Sequence, residues 1–136
     1  MREELTRIGI EEAKTAEAVD EAVRSTQGTL MVVVNSVCGC AAGKMRPGIR
    51  RAFGSSSKPA RSITVFAGQD REATDRARGY FTGYPPSSPS IAFLRDGQLV
   101  HMIQRSDIET RTADQIAEIL QQAFDKYCGA VANTNS

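Results

Sequence analysis

The segment Thr29–Val34, which reads TLMVVV, is an apolar run dominated by valine. A strand with one solvated face alternates polar and apolar side chains, but this run leaves neither face polar. It therefore predicts a strand buried on both faces, as in the interior of a parallel or mixed sheet that is covered by helices. This segment alone favours an α/β fold.

Helices and strands alternate along the rest of the chain. Apolar spacing and capping residues predict helices over about residues 16–25 (capped by Thr15), 41–53 (bent at Pro47), 71–81 (capped by Asp70) and from Thr112 onward, and strands Ser62–Ala67, Ser90–Leu94 and Gln98–Gln104. A turn at Asp96–Gly97 makes the last two strands a hairpin. From Thr29 the order is β-α-β-α-β-β-α, which is that of a thioredoxin-like core. We therefore predict an α/β fold, a thioredoxin-like mixed β-sheet flanked by helices, with an extra N-terminal helical segment.

Length and composition limit the class of protein. The chain has 136 residues and a net charge of +1, which fits one domain over residues 1–128 followed by a loose C-terminal tail at 129–136. Its first residues are charged rather than apolar, and no apolar run approaches the roughly 20 residues of a membrane helix. We therefore expect a cytoplasmic protein with reduced cysteines and no membrane association.

Positive charge is concentrated around the first strand. Residues 24–69 contain no acid and seven bases, namely Arg24, Lys44, Arg46, Arg50, Arg51, Lys58 and Arg61. Such a stretch is often a solvated basic face, but it can also stabilise a thiolate and attract anionic partners. It holds a single aromatic residue, Phe53, and no recognised motif, so we do not expect nucleic acid as a partner.

Cys38 and Cys40 lie between the first buried strand and the following helix, with Gly39 between them. A helix N-terminus offers free N–H groups and partial positive charge, which favour a thiolate over a thiol. Gly39 permits a sharp turn that leaves a sulfur accessible. A disulfide between these cysteines closes a very small ring, so it gains little entropy and suits catalysis better than structural stapling.

Three interpretations of the pair remain open from the residues alone. Cys38 and Cys40 could be buried structural residues, or they could be metal ligands together with Cys128 or His101. No second CxC or CxxC is present, which disfavours structural zinc. The third interpretation is a redox dithiol. It is favoured by the position of the pair at a strand-to-helix junction and by the proline-containing loop that precedes the third strand, GYPPSSPS.

The segments VVVNSVCGCAAG, Arg46-Pro47, GYPPSSPSIAF and AFDKYC resemble the bacilliredoxin family, thioredoxin-like proteins with a CGC motif. The resemblance covers almost the whole chain and is most specific at NSVCGC. It implies an enzyme without a resident cofactor that reduces mixed disulfides between proteins and bacillithiol, a small anionic thiol, and it is also associated with disulfide isomerase activity. The implied partners are bacillithiolated or disulfide-containing proteins, the small thiol and a flavoprotein disulfide reductase.

Carried onto this chain, the resemblance implies that Cys38 is the nucleophile and Cys40 the resolving cysteine. We expect substrate contacts from Gly39, Arg46, Ser88 and Pro89, because thioredoxin-like sites place a cis-proline beside the dithiol and Pro89 directly precedes the third strand. A general disulfide isomerase or reductase, or a non-enzymatic metal-handling thiol protein, is the alternative. Cys128 fits a half-buried small residue or a backup thiol.

Overall fold

The computed structural model describes residues 10–26, 28–35, 40–53, 59–66, 70–81, 90–95 and 98–126, with side chains at 40–44 excepted. The strands are β1 (Glu11–Glu12), β2 (Thr29–Asn35), β3 (Arg61–Phe66), β4 (Ser90–Arg95) and β5 (Gln98–Ile103). The helices are α1 (Ala16–Ser25), α2 (Cys40–Ala52), α3 (Arg71–Gly79), α4 (Arg105–Glu109) and α5 (Ala113–Phe124). No helix in these ranges is long and apolar enough to cross a membrane.

The strands form one mixed sheet in the order β1-β3-β2-β4-β5. β2 is the middle strand: it pairs with β3 in parallel and with β4 in antiparallel orientation, and β4 forms the predicted hairpin with β5. Every residue of β2 is buried. The predicted doubly covered strand is therefore confirmed, and it occupies the centre of the sheet.

Alternate residues of β2 belong to two separate hydrophobic cores, one on each face of the sheet. Met31 and Val33 pack with residues of α2 and α5 on one face of the sheet. On the other face, Leu30, Val32 and Val34 pack with residues of α1 and α3. Because side chains of a strand point alternately to its two sides, the valine-rich run supplies both cores at once.

Two short elements differ from the sequence prediction. β1 has two residues and α4 has five, and both are too short to show a periodic pattern. Asp70 does precede α3 as predicted, but its side chain makes no capping hydrogen bond. Its Oδ2 instead accepts from the backbone N–H of Phe66 at 3.2 Å, so Asp70 closes the turn between β3 and α3.

The N-terminal extension, β1 with α1, is joined to the sheet by polar contacts as well as by burial. Thr15 caps α1 as predicted, its Oγ1 accepting from Ala18 N–H at 3.1 Å. Arg61, at the start of β3, donates to Glu11 of β1 at 2.9 Å and to Glu21 of α1 at 3.1 Å. The predicted N-terminal helix is therefore an integral part of the fold.

Candidate active site at the carboxyl end of the central strand

The predicted cysteine pair belongs to the connection between β2 and α2. β2 ends at Asn35, which lies opposite Phe66 at the end of β3, and α2 begins at Cys40. In an α/β sheet, ligands bind at the carboxyl ends of parallel strands, where the loops to the following helices lie. In the sequence, the predicted dithiol therefore follows the strand end at which this architecture places chemistry.

Cys38 and Gly39 lie outside the described residues, as does the side chain of Cys40. The backbone of Cys40 is described, and Cys40 is the first residue of α2. Covalent connectivity limits the distance between the Cα atoms of Cys38 and Cys40 to about 7 Å. The helix whose N-terminus was predicted to stabilise a thiolate is thus confirmed, and it begins at the second cysteine of the pair.

Arg46 directs its charge back toward this edge of the sheet. Its side chain is 9% exposed, and its Nη1 donates to Oδ1 of Asn35 over 3.4 Å. Helical side chains lean toward the helix N-terminus, which is how a residue in the second turn of α2 reaches the end of β2. A buried cation therefore lies against the residue that is three positions before Cys38.

Asn35 is a site residue that the sequence analysis missed. It is fully buried and is the last residue of an otherwise apolar strand. A buried amide requires hydrogen-bond partners, and the contact with Arg46 provides one. The signal that could have found it was a lone Asn ending a valine run directly before the cysteines.

β4, the strand that follows Ser88 and Pro89 in the sequence, begins at the same edge of the sheet. Both residues, and the predicted cis bond between them, lie outside the described residues. Ser90, which follows Pro89, is the first residue of β4 and lies opposite Val34 of β2. Because β4 runs antiparallel to β2, its beginning lies beside the carboxyl end of β2, one residue from Asn35.

The basic residues that are close together in the sequence, between residues 24 and 69, lie in different parts of the fold. Arg61 lies opposite Leu30, about 17 Å along β2 from Asn35, and it forms ion pairs with Glu11 and Glu21. Arg51 pairs with Asp114 of α5. Acids from distant parts of the chain therefore neutralise these two bases, so the basic stretch of the sequence does not form one continuous unpaired positive surface.

His101 was considered as a metal ligand together with the cysteines. It lies in β5 opposite Phe93, whose ring centroid is 5.9 Å from its own, and Phe93 lies opposite Met31. β5 is thus the second strand away from β2. The backbone of His101 lies level with Met31, which is about 13 Å along β2 from Asn35. This separation disfavours His101 as a third ligand of a metal held at residues 38–40. Within the described part of the chain, no group of three or more His, Cys, Asp or Glu side chains is arranged to hold a metal.

Comparisons with known proteins agree on family and fold. The family model described as "Disulphide isomerase" matches residues 1–128. A bacilliredoxin of Koribacter versatilis is 84% identical over 100% of this chain and 94% of its own length. A bacilliredoxin of Geobacillus kaustophilus is 52% identical over 95% of this chain and 90% of its own length.

Two solved thioredoxins illustrate the shared architecture. The thioredoxin of Fasciola hepatica superposes with a TM-score of 0.63 at 14% identity, covering 87% of this chain and 99% of its own. A mutant thioredoxin of Halobacterium salinarum gives a TM-score of 0.62 at 12% identity, covering 91% and 95% respectively. At these identities the likeness concerns the fold, which confirms the predicted thioredoxin-like sheet.

Proposed function

The chain belongs to the bacilliredoxin family, and from that premise we propose that it removes bacillithiol, or a similar low-molecular-weight thiol, from protein mixed disulfides through Cys38 and Cys40. Family membership and the thioredoxin fold support a thiol-disulfide oxidoreductase. The observation that carries the proposal is the start of α2 at Cys40, which is separated from the buried central strand only by residues 36–39. A dithiol at this junction would have a helix N-terminus beside it at the edge of the sheet where ligands bind, which supports the proposal.

Cys38 is the nucleophile in this proposal. Thiol-disulfide exchange needs a thiolate, and an ordinary cysteine with a pKa near 8.5 is mostly protonated at neutral pH. The N-terminal dipole of α2 and the positive charge of Arg46 both favour the deprotonated form. We therefore expect the pKa of Cys38 to lie below that of an ordinary thiol.

The reaction has two exchange steps. The Cys38 thiolate attacks the small thiol's sulfur in the mixed disulfide, so the protein thiolate leaves and a disulfide forms between Cys38 and the small thiol. The Cys40 thiolate then attacks the Cys38 sulfur and expels the small thiolate, leaving a Cys38–Cys40 disulfide. The two electrons that reduced the substrate came from the dithiol. A flavoprotein disulfide reductase or excess thiol returns them.

Substrate contacts come from the chain around the dithiol. We propose Gly39, Ser88 and Pro89 as the residues that contact the substrate, Gly39 because a glycine permits a sharp turn beside the first cysteine. The side chain of Arg46 is buried, so it does not contact the small thiol at the surface. Its positive charge nevertheless favours a small thiol that carries carboxylates. A dithiol that must be reset in this way works in a reducing compartment, which we propose is the cytoplasm.

The test uses a bacillithiolated protein and measures its mass and that of the enzyme. The wild type should release the small thiol and become oxidised. The Cys40→Ser variant should accept the small thiol on Cys38 and stall there, while Cys38→Ser should form no adduct. A stable adduct in Cys38→Ser and none in Cys40→Ser would reverse the two roles, and release by both variants would contradict the dithiol mechanism.

A second function, general disulfide isomerisation, is favoured by the description of the matching family model. It uses the same thiolate but has no preference for a small thiol. Refolding of a protein with scrambled disulfides, compared with release of bacillithiol at equal enzyme concentration, separates the two functions. A preference for the scrambled protein over the mixed disulfide would assign isomerisation as the main activity.

A further inference from the structure

A cleft of about 320 Å³ opens beside β5, the outer strand on the side of the sheet away from β1. Its walls are residues of β5, α4 and α5 and the residues that directly follow the two helices. Buried Met102, Ile103 and Ala123 and partly buried Ile119 give it an apolar floor. A cleft of this volume and lining is within the range of sites that hold small molecules.

The polar groups of the cleft carry an excess of positive charge. Arg111 and Lys126 contribute cations, and Asp107 contributes a carboxylate. Both oxygens of Asp107 are already engaged: Oδ2 accepts from the backbone N–H of Gln104 at 3.1 Å, and Oδ1 lies 3.9 Å from Nη1 of Arg111. The residues that line the cleft therefore contribute two cations and one carboxylate, a net positive charge that favours an anionic ligand.

His101 gives the cleft a group whose charge depends on pH. The ring is half-buried and packs against Phe93. Burial lowers the pKa of His101, nearby Lys126 lowers it further, and Asp107 opposes them. The imidazole is therefore neutral at pH 7, and an anion that enters the cleft favours its protonation.

We propose that this cleft binds a small organic carboxylate, with its charged end between Arg111 and Lys126 and its apolar part on Met102, Ile103 and Ile119. Gln122 adds an amide to the polar side of the cleft. β4 separates the cleft's strand from β2, so the site is distinct from the dithiol edge. The proposal does not depend on the disulfide chemistry.

The first test titrates the ¹⁵N-labelled full chain with sodium isovalerate and, separately, with neutral isovaleramide, which has nearly the same shape. Isovalerate should shift the amide resonances of Met102, Ile103 and Gln122 in a saturable way. The amide should bind at least about tenfold more weakly, because it cannot pair with the cations. Equal shifts by both compounds, or no saturation by either, would overturn the proposal.

The second test removes the two cations in the variant Arg111→Gln/Lys126→Gln. Its matched control, Arg24→Gln/Arg71→Gln, removes the same net charge from exposed residues that do not line the cleft. The cleft variant should bind isovalerate at least about tenfold more weakly, whereas the control should bind it as the wild type does. Equal losses in the two variants would show a general charge effect and refute a built site.

The third test uses the coupling to His101. Isovalerate should bind more tightly at about pH 5.8 than at about pH 7.5, since protonated His101 adds a third positive charge. His101→Gln should remove this pH dependence and keep the binding itself at pH 7.5. Unchanged pH dependence in His101→Gln would contradict the assigned role of the histidine in the cleft.

Discussion

At the residue scale, the buried guanidinium of Arg46 has a measurable consequence for the predicted nucleophile. Replacing it by methionine removes a cation that lies against Asn35, so the pKa of Cys38 should rise. At a pH below this pKa, the alkylation rate should then fall about threefold to tenfold, since one pKa unit is there a tenfold change in thiolate fraction. Iodoacetamide rates against pH measure this shift in a Cys40→Ser/Cys128→Ser background, which leaves one thiol.

Arg50 provides the matched control because it lies on the same helix and is exposed. Arg50→Met should leave the pKa of Cys38 within about 0.3 units of its starting value, since solvent screens an exposed charge. Arg46→Lys should keep most of the effect of arginine. Equal shifts in Arg46→Met and Arg50→Met would show that burial of the cation is irrelevant. A pKa of about 8.5 in the starting protein would instead contradict the activation of Cys38 itself.

His101 is the one histidine of the chain, and its titration should make the free energy of unfolding depend on pH near neutrality. Its pKa is lowered from 6.5 by burial and by Lys126, so the unfolded chain takes up a proton first as the pH falls. The free energy of unfolding should therefore decrease as the pH drops below about 6.5. Urea unfolding at about pH 7.5 and about pH 5.8 should show a smaller difference in His101→Gln than in the wild type. A larger difference in the variant would contradict the direction of the shift.

At the scale of elements, the contact between α2 and α5 depends on Gly48. A Cβ at this position would lie 2.7 Å from Cγ2 of Ile116 and 3.1 Å from the carbonyl oxygen of Ala113. Gly48→Ala should lower the free energy of unfolding by about 1–2 kcal/mol, because the clash outweighs the higher helix propensity of alanine. Denaturant unfolding measures the change.

Gly79 in α3 is the control for this substitution, since nothing lies within 4 Å of a Cβ built there. Gly79→Ala should be neutral or stabilising by up to about 1 kcal/mol. Combining Gly48→Ala with Ile116→Ala should cost less than the sum of the two single losses, because alanine lacks the Cγ2 atom that lies nearest to the new methyl. If Gly48→Ala is as stable as Gly79→Ala, the close packing of α2 on α5 is not limiting.

The elements with long patterns could be predicted from the sequence, and the contacts between them could not. The valine run, Thr15 and Thr112 mark β2, α1 and α5 because burial and capping act over neighbouring residues. The contact of Asn35 with Arg46 joins residues on two different elements, so it required the packing of α2 on the sheet. The division of the basic stretch has the same cause, since Arg61 meets acids that are 40 and 50 positions away.

At the scale of the whole molecule, Arg61 connects the N-terminal extension to the sheet. Ala13 N–H donates to the carbonyl of Thr64 at 2.9 Å, which makes its exchange rate a local reporter of this docking. Arg61→Gln should reduce the protection of the Ala13 amide about threefold to tenfold and leave Val33 unchanged. Hydrogen exchange followed by NMR measures both amides.

The control breaks a different ion pair. Arg51 and Asp114 are both exposed, and Arg51→Gln should leave the protection of Ala13 as it is in the wild type. A matching loss of protection in Arg51→Gln would show a global change of stability rather than local release of the extension. No change in Arg61→Gln would mean that burial of Ile10 and Ala13 alone holds the segment in place.

The shortness of β1 also matters for self-association. Without this strand, β3 would border the sheet and would offer six nearly buried residues with open backbone groups to any other chain. β1 pairs with Ile63 and Thr64 in the middle of β3, so an incoming strand would meet two residues of β1 there instead of a continuous edge of β3. A two-residue strand too short to predict from the sequence thus interrupts the border at which the sheets of neighbouring molecules could join.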